Sequence, residues 1–190
     1  MKKVMLGMLL LFTMAGAYAQ DVTVRSFEAE DVDYGKYKTF DWASQVSNDI
    51  DPGVYFLNDL ILKAQVRDAV EAELMGLGYQ KADGQDQADM IVNFRVFDQP
   101  VTLRGNEGYG DDYWGSTPYT TISETESYDV EAGTLLISLA DRESGRVVWQ
   151  GFASGLIDND QFVKDEVKIS EAVNLAFEDY GQRAREYTRR

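Results

Sequence analysis

The sequence predicts an α+β fold, a two-layer sandwich in which a mostly antiparallel mixed sheet of about five or six strands carries two helices on one face. Three observations predict it. The helical period occurs twice, in Leu62, Val66, Val70, Leu74 and Leu77 and again in Ile169, Val173, Ala176, Phe177, Tyr180 and Ala184. Nearly everything else with a pattern alternates with period two, as strands do. The stretch GTLLISLADRESGRVVWQGFA at 133–153 reads as two strands joined by a short polar loop. A helix with a single apolar stripe covers one sheet face and leaves its other side to solvent, so two such helices and one sheet make two layers.

Taken in order, the chain opens with MKKVMLGMLLLFTMAGAYAQ: Lys2 and Lys3, an apolar run from Val4 to about Ala15, and small residues at Ala17 and Ala19. That is the pattern of a secretory signal peptide, with cleavage expected after Ala19. An apolar run of about a dozen residues falls short of the ~20 that a spanning helix needs. No cysteine stands at the processing site, so no lipid anchor through cysteine and no membrane segment after cleavage are expected. Residues 20–190 form one domain by length.

Within it, Val22, Val24 and Phe27 mark a first strand and Tyr34 to Trp42 a second. A helix is expected from about Asn58 to Leu77, with Gly78 as its left-handed cap. The polar tract 81–89 reads as a loop. Met90 to Phe97 alternates as a strand that continues past Pro100 toward Val101, and with Tyr37 to Phe97 as a strand-helix-strand unit its pairing with the second strand should be parallel. Residues 104–118 hold four glycines and form a long loop, and Tyr119 to Val130, poor in apolar residues, is expected at an edge or protruding. In the 133–153 hairpin, Leu135 to Ala140 is apolar on both faces, as an interior strand is. Gly145 supplies the positive φ of its turn. A loop from Ser154 to Val163 leads into the second helix, whose first turn holds Asp165 and Glu166, with Arg183 and Arg185 beyond its end, as the helix dipole favours.

Composition excludes several kinds of chemistry. The chain has no cysteine and no histidine, so it has no disulfide, no Ser-His-Asp triad, no Cys-His pair and no His-ligated zinc. Carboxylate, Ser-Lys, tyrosine or calcium chemistry remains. The net charge is −15; loss of residues 1–19 removes two of 18 basic residues and none of 33 acids, leaving 16 against 33, or −17. Such a surface repels phosphate backbones, so nucleic acid is not an expected partner.

The pieces YKTFDW at 37–42, LGYQKA at 77–82, ADMIV at 88–92 and the whole of 133–153 resemble a family known as domain of unknown function 4136, exported bacterial proteins that include lipoproteins. The resemblance implies an envelope location and an α+β fold. It lends no catalytic residue. This chain departs from the family's lipoproteins in having Ala19-Gln20 where they have the processing cysteine, and Gly181 follows Tyr180 where an aromatic and proline often end the second helix.

Trp149, among Val147, Val148 and Phe152, is expected as core packing under a helix, and Asp141 as a turn cap through its side chain. The candidate contact surface is Tyr109, Tyr113, Trp114 and Tyr119, interleaved with Gly108, Gly110 and Gly115; exposed aromatics stack on sugars or anchor proteins. No GxGxxG or GxxxxGK[ST] occurs, and Asp111 and Asp112 would repel phosphate, so no nucleotide cofactor is expected. The acidic clusters at Asp49 and Asp51, Asp83, Asp86 and Asp89, Asp111 and Asp112, and Asp158 and Asp160 fit no calcium-loop spacing and read as solvated surface, with no metal site assigned. The expected function is therefore a non-enzymatic binding or structural domain of the cell envelope, meeting an envelope protein or glycan. The alternative is a carboxylate-dependent hydrolase of envelope glycans, which needs two carboxylates about 5–10 Å apart.

Overall fold

The structure, a computed structural model, describes residues 22–47, 54–104 and 127–184. Its main sheet has six strands: β1 (Thr23–Glu28), β2 (Thr39–Trp42), β3 (Gln80–Lys81), β4 (Met90–Phe97), β7 (Thr134–Asp141) and β8 (Val147–Ser154), ordered β1-β8-β7-β4-β2-β3. The pairs β1/β8, β8/β7 and β7/β4 are antiparallel, and β2 runs parallel to both β4 and β3. The α+β fold and the parallel β2/β4 pair are as the sequence predicts. Two small ribbons, β5 (Val101–Arg104) with β6 (Ser127–Val130) and β9 (Ile157–Asp158) with β10 (Gln161–Phe162), stand outside that sheet.

The long helices are α2 (Leu60–Gly76) and α3 (Glu166–Glu178), and a single turn, α1 (Ser44–Ser47), follows β2. Asp59 caps α2 by accepting from the amides of Ile61 and Leu62, and Asp165 caps α3 by accepting from Lys168. Each such cap contributes about 1 kcal/mol. Gly78 takes φ +93° just past the end of α2, where a residue with a Cβ would be strained.

Strand register shows that both helices lie on one face. Trp149, Leu139, Val92 and Trp42 are opposite one another across β8, β7, β4 and β2, so their side chains share a face. On it the Trp149 indole stacks on Phe177 of α3 at 4.8 Å, and the Trp42 indole N–H donates to Glu71 of α2 at 2.6 Å. The helices run side by side in the same direction, joined by Lys164–Asp59 at 2.5 Å, Asn174 to Glu73 at 3.1 Å and Tyr79 to Tyr180 at 3.0 Å. On the opposite face Arg25 of β1 lies over the Phe152 ring and donates to the Asp129 carbonyl at 3.2 Å, which holds the β5–β6 ribbon against the β1–β8 side of the sheet.

Four local expectations change, the first being that α3 ends at Glu178, so Tyr180 and Ala184, expected on its stripe, lie past its end. Tyr34–Lys36 is a 3-10 turn and the second strand begins only at Thr39, because the Asp33 side chain accepts from Gly35 N and closes a turn there. The expected loop 154–163 contains the β9–β10 hairpin, whose two-residue turn, Asn159 and Asp160, has φ +49° and +60°. These angles belong to a type I′ turn, whose twist suits a tight hairpin. The tract 81–89 contributes Lys81 to β3 and closes with a turn at Gln85–Gln87. Of the expected edge strand 119–130, the described part is β6, which pairs with β5 and not with the main sheet.

Candidate functional site

Tyr109, Tyr113, Trp114 and Tyr119 lie outside the described residues, as do Asp49, Asp51, Asp111 and Asp112. What is described is the base that carries them. β5 and β6 pair in register from Val101↔Val130 to Arg104↔Ser127, so the two residues that flank the segment 105–126 are paired neighbours. Leu103 and Val130 are buried in the core, and Thr102 donates to Asp129 at 2.7 Å across the ribbon.

The described residues with the most perturbed ionisation sit elsewhere, at the end of the sandwich where the helices finish. The Asp141 carboxylate, 5% exposed at the end of β7, accepts from the Tyr37 hydroxyl at 2.9 Å and from Ser144 N at 2.7 Å and Oγ at 2.8 Å, and it pairs with the Lys36 ammonium. Burial pushes its pKa up, but Lys36, Ser144 and Tyr37 together outweigh that and hold it well below the usual carboxylate range. The role expected of Asp141, a side-chain cap of the turn, is present, and Tyr37 and Lys36 add a tie from that turn to the turn before β2.

Beside it, Tyr34, Tyr37, Tyr79 and Tyr180 form a buried phenol cluster. Ring centroids are 6.1 Å apart for Tyr34 and Tyr37, 6.5 Å for Tyr34 and Tyr180 and 6.4 Å for Tyr79 and Tyr180, and Trp149 meets Tyr180 edge-on at 5.1 Å. Burial raises all four pKa values; that of Tyr34 is pushed up to about 12, with help from Glu28. Tyr34 donates to the Val148 carbonyl at 2.6 Å. Sequence reading missed this cluster: Tyr34 and Tyr37 fall within the expected second strand and Tyr180 within the second helical stripe, and no local pattern links them to one another or to Tyr79.

The chemistry of these groups follows from their partners. At neutral pH the phenols are neutral donors, the opposite of what a tyrosinate nucleophile requires. Asp141 is ionised, is a weak base and has its lone pairs engaged, so it suits structure better than proton transfer. Asp89 is likewise occupied: its Oδ2 accepts from Lys38 N at 2.8 Å, Thr39 N at 2.9 Å and Thr39 Oγ1 at 3.0 Å, fastening the start of β2. Among the described residues no group of three or more carboxylates could hold a metal ion. Trp149 is fully buried, and Gly151 leaves room for its indole, since a Cβ there would stand 2.3 Å from the ring.

Residues 24–180 match the family described as Domain of unknown function (DUF4136). The chain belongs to that family. Among solved structures it is similar to a DUF4136 family protein from Bacteroides thetaiotaomicron, at 17% identity and TM-score 0.46, over 82% of this chain and 94% of that one. It is similar also to a PDZ domain protein from Parabacteroides distasonis, at 18% identity and TM-score 0.47, over 88% of this chain but 36% of that one. A third is the PelC dodecamer from Paraburkholderia phytofirmans, at 12% identity and TM-score 0.44, over 87% of this chain and all of that one. No curated protein matches the chain. Among the described residues nothing supports the glycan-hydrolase alternative.

Proposed function

We propose that this DUF4136 domain is exported to the cell envelope and acts there by binding, not by catalysis, through Tyr109, Tyr113, Trp114 and Tyr119. What carries the reading is the β5–β6 ribbon: a paired and anchored base from which a 22-residue stretch rich in glycine and aromatic residues departs between Arg104 and Ser127. Long loops on a rigid scaffold are where binding residues concentrate. The structural employment of Asp141, Asp89 and the tyrosine cluster supports a non-catalytic role, and the leader-like first 19 residues support export.

Two measurements test this. Intact mass of the protein recovered from a periplasmic fraction should correspond to loss of residues 1–19; the full-length mass in the cytoplasm would refute export. Pull-down from an envelope extract with the wild type should recover a protein or glycan that the Tyr113→Ala, Trp114→Ala double variant recovers at least tenfold less well. Equal recovery of every partner would remove these aromatics from the function.

A further inference from the structure

We propose that the outer edge of β1 is a second docking site, one that takes an extended, basic polypeptide segment as an added strand. It goes beyond the aromatic segment, since it needs none of residues 105–126. Among the described residues β1 is the last strand of the sheet and pairs with β8 alone. Ala29 N donates to the Val148 carbonyl at 2.8 Å, which fixes the phase of the ladder: odd-numbered residues face β8, while Val24, Ser26 and Glu28 turn their N–H and C=O groups outward. Among the described residues nothing pairs with those groups. All of β1 except Val24 is exposed, including Phe27 at 57%, on a strand of six residues with no proline. Edges are ordinarily blunted by shortness, proline or bulges, and the register with β8 is unbroken along β1. An extended chain satisfies backbone groups in this array by adding a strand to the edge.

Charge selects which chain. Just past the edge, Glu28, Glu30, Asp31 and Asp33 are all exposed, with no basic residue among positions 28–33. Arg25, the one basic residue of β1, is turned onto the Phe152 ring and the Asp129 carbonyl. A second copy of the chain would bring another net charge of −15 to the same place, whereas a segment with lysine or arginine near Glu28 and an apolar residue beside Phe27 complements both features.

The test uses the full chain, labelled for amide exchange, with a ten-residue peptide alternating lysine and valine and a counterpart alternating glutamate and valine. The lysine peptide should slow exchange at Val24, Ser26 and Glu28 at least tenfold and leave Arg25 and Phe27, already bonded to β8, unchanged. Ser26→Pro deletes only an outward N–H, which edge strands tolerate, and should weaken binding at least tenfold. Glu28→Lys, which leaves the backbone intact, should weaken the lysine peptide and favour the glutamate one. The proposal is overturned if those three amides stay unprotected, if both peptides bind alike, if Ser26→Pro folds and binds as the wild type does, or if protection grows with protein concentration in the absence of peptide, the mark of a second copy.

Discussion

Replacing Asp141 tests whether the turn after β7 is the main polar fastening of this end of the fold. In Asp141→Ala the Tyr37 hydroxyl, on a side chain 1% exposed, loses its acceptor, and an unsatisfied buried hydroxyl costs about 1–3 kcal/mol. The two bonds from Ser144 add about 1 kcal/mol. The Lys36 pair adds about 0–1 kcal/mol, because the Lys36 side chain is 50% exposed and screened. The total, about 2–5 kcal/mol, corresponds to a fall in Tm of roughly 10 °C for a domain of this size. The pH dependence has a definite sign. The folded pKa of Asp141 is depressed below the unfolded value of about 3.9, so its stabilisation is present above that value and is lost as the pH falls below about 4 toward the folded pKa. Asp141→Asn, nearly isosteric, should be less stable than wild type at pH 7 and lose less stability between pH 4 and pH 2. Thermal melts by circular dichroism across that range decide it. A fall in Tm under about 3 °C for Asp141→Ala, or identical acid sensitivity in wild type and Asp141→Asn, would refute the reasoning.

Gly133→Ala should cost about 2–4 kcal/mol in urea unfolding, since residue 133 has φ +76° and a Cβ there would meet Ile157 Cγ1 at 2.5 Å and its backbone N at 2.9 Å. Gly151→Ala should cost a similar amount and, unlike Gly133→Ala, change the near-ultraviolet dichroism, because its Cβ displaces the Trp149 indole. At high pH the four buried tyrosines predict the reverse of the Asp141 effect. Their raised pKa values confer stability that is complete below about pH 10 and lost above it, at about 1.4 kcal/mol per pH unit for each phenol, through about pH 12 for Tyr34. Absorbance at 295 nm should show these phenols ionising together with unfolding and not before it.

What was legible in the sequence is what local pattern encodes. Leu135 to Ala140, apolar on both faces, lies between β4 and β8, and the two helical stripes bury Leu62, Val66, Val70 and Leu74 and Ile169, Val173, Ala176 and Phe177. The turn at Asp141 and the burial of Trp149 were also readable, because each rests on neighbours in sequence. The β9–β10 hairpin was missed because its type I′ turn uses Asn159-Asp160 where Asn-Gly is the usual signal, and only two residues flank it on each side. The pairing of β5 with β6 joins segments separated by residues 105–126, and the tyrosine cluster joins Tyr34, Tyr37, Tyr79 and Tyr180 from three parts of the chain. No periodicity reports contacts of that kind. The β1 edge was equally hidden: Val22, Val24 and Phe27 suggest a strand, but only its partner, β8, and the absence of a second one among the described residues make it an edge.

The stretch 133–153 is the longest of the pieces that carry the family resemblance, and its distinctive residues are accounted for by packing. Gly133 gives the positive φ and close approach that seat Ile157, and Asp141 gathers a turn, a phenol and an ammonium. Trp149 lies in the space over Gly151 and against Phe177 and Tyr180. Moving a residue held by three or four such partners breaks bonds worth about 1 kcal/mol or more apiece, so these positions are costly ones on which to build a response to a ligand. Under the two proposals made above, recognition falls instead to the outward backbone groups of β1 and to Tyr109, Tyr113, Trp114 and Tyr119. On that reading, the residues of 133–153 that carry the family resemblance build the scaffold, and the proposed binding residues are different ones.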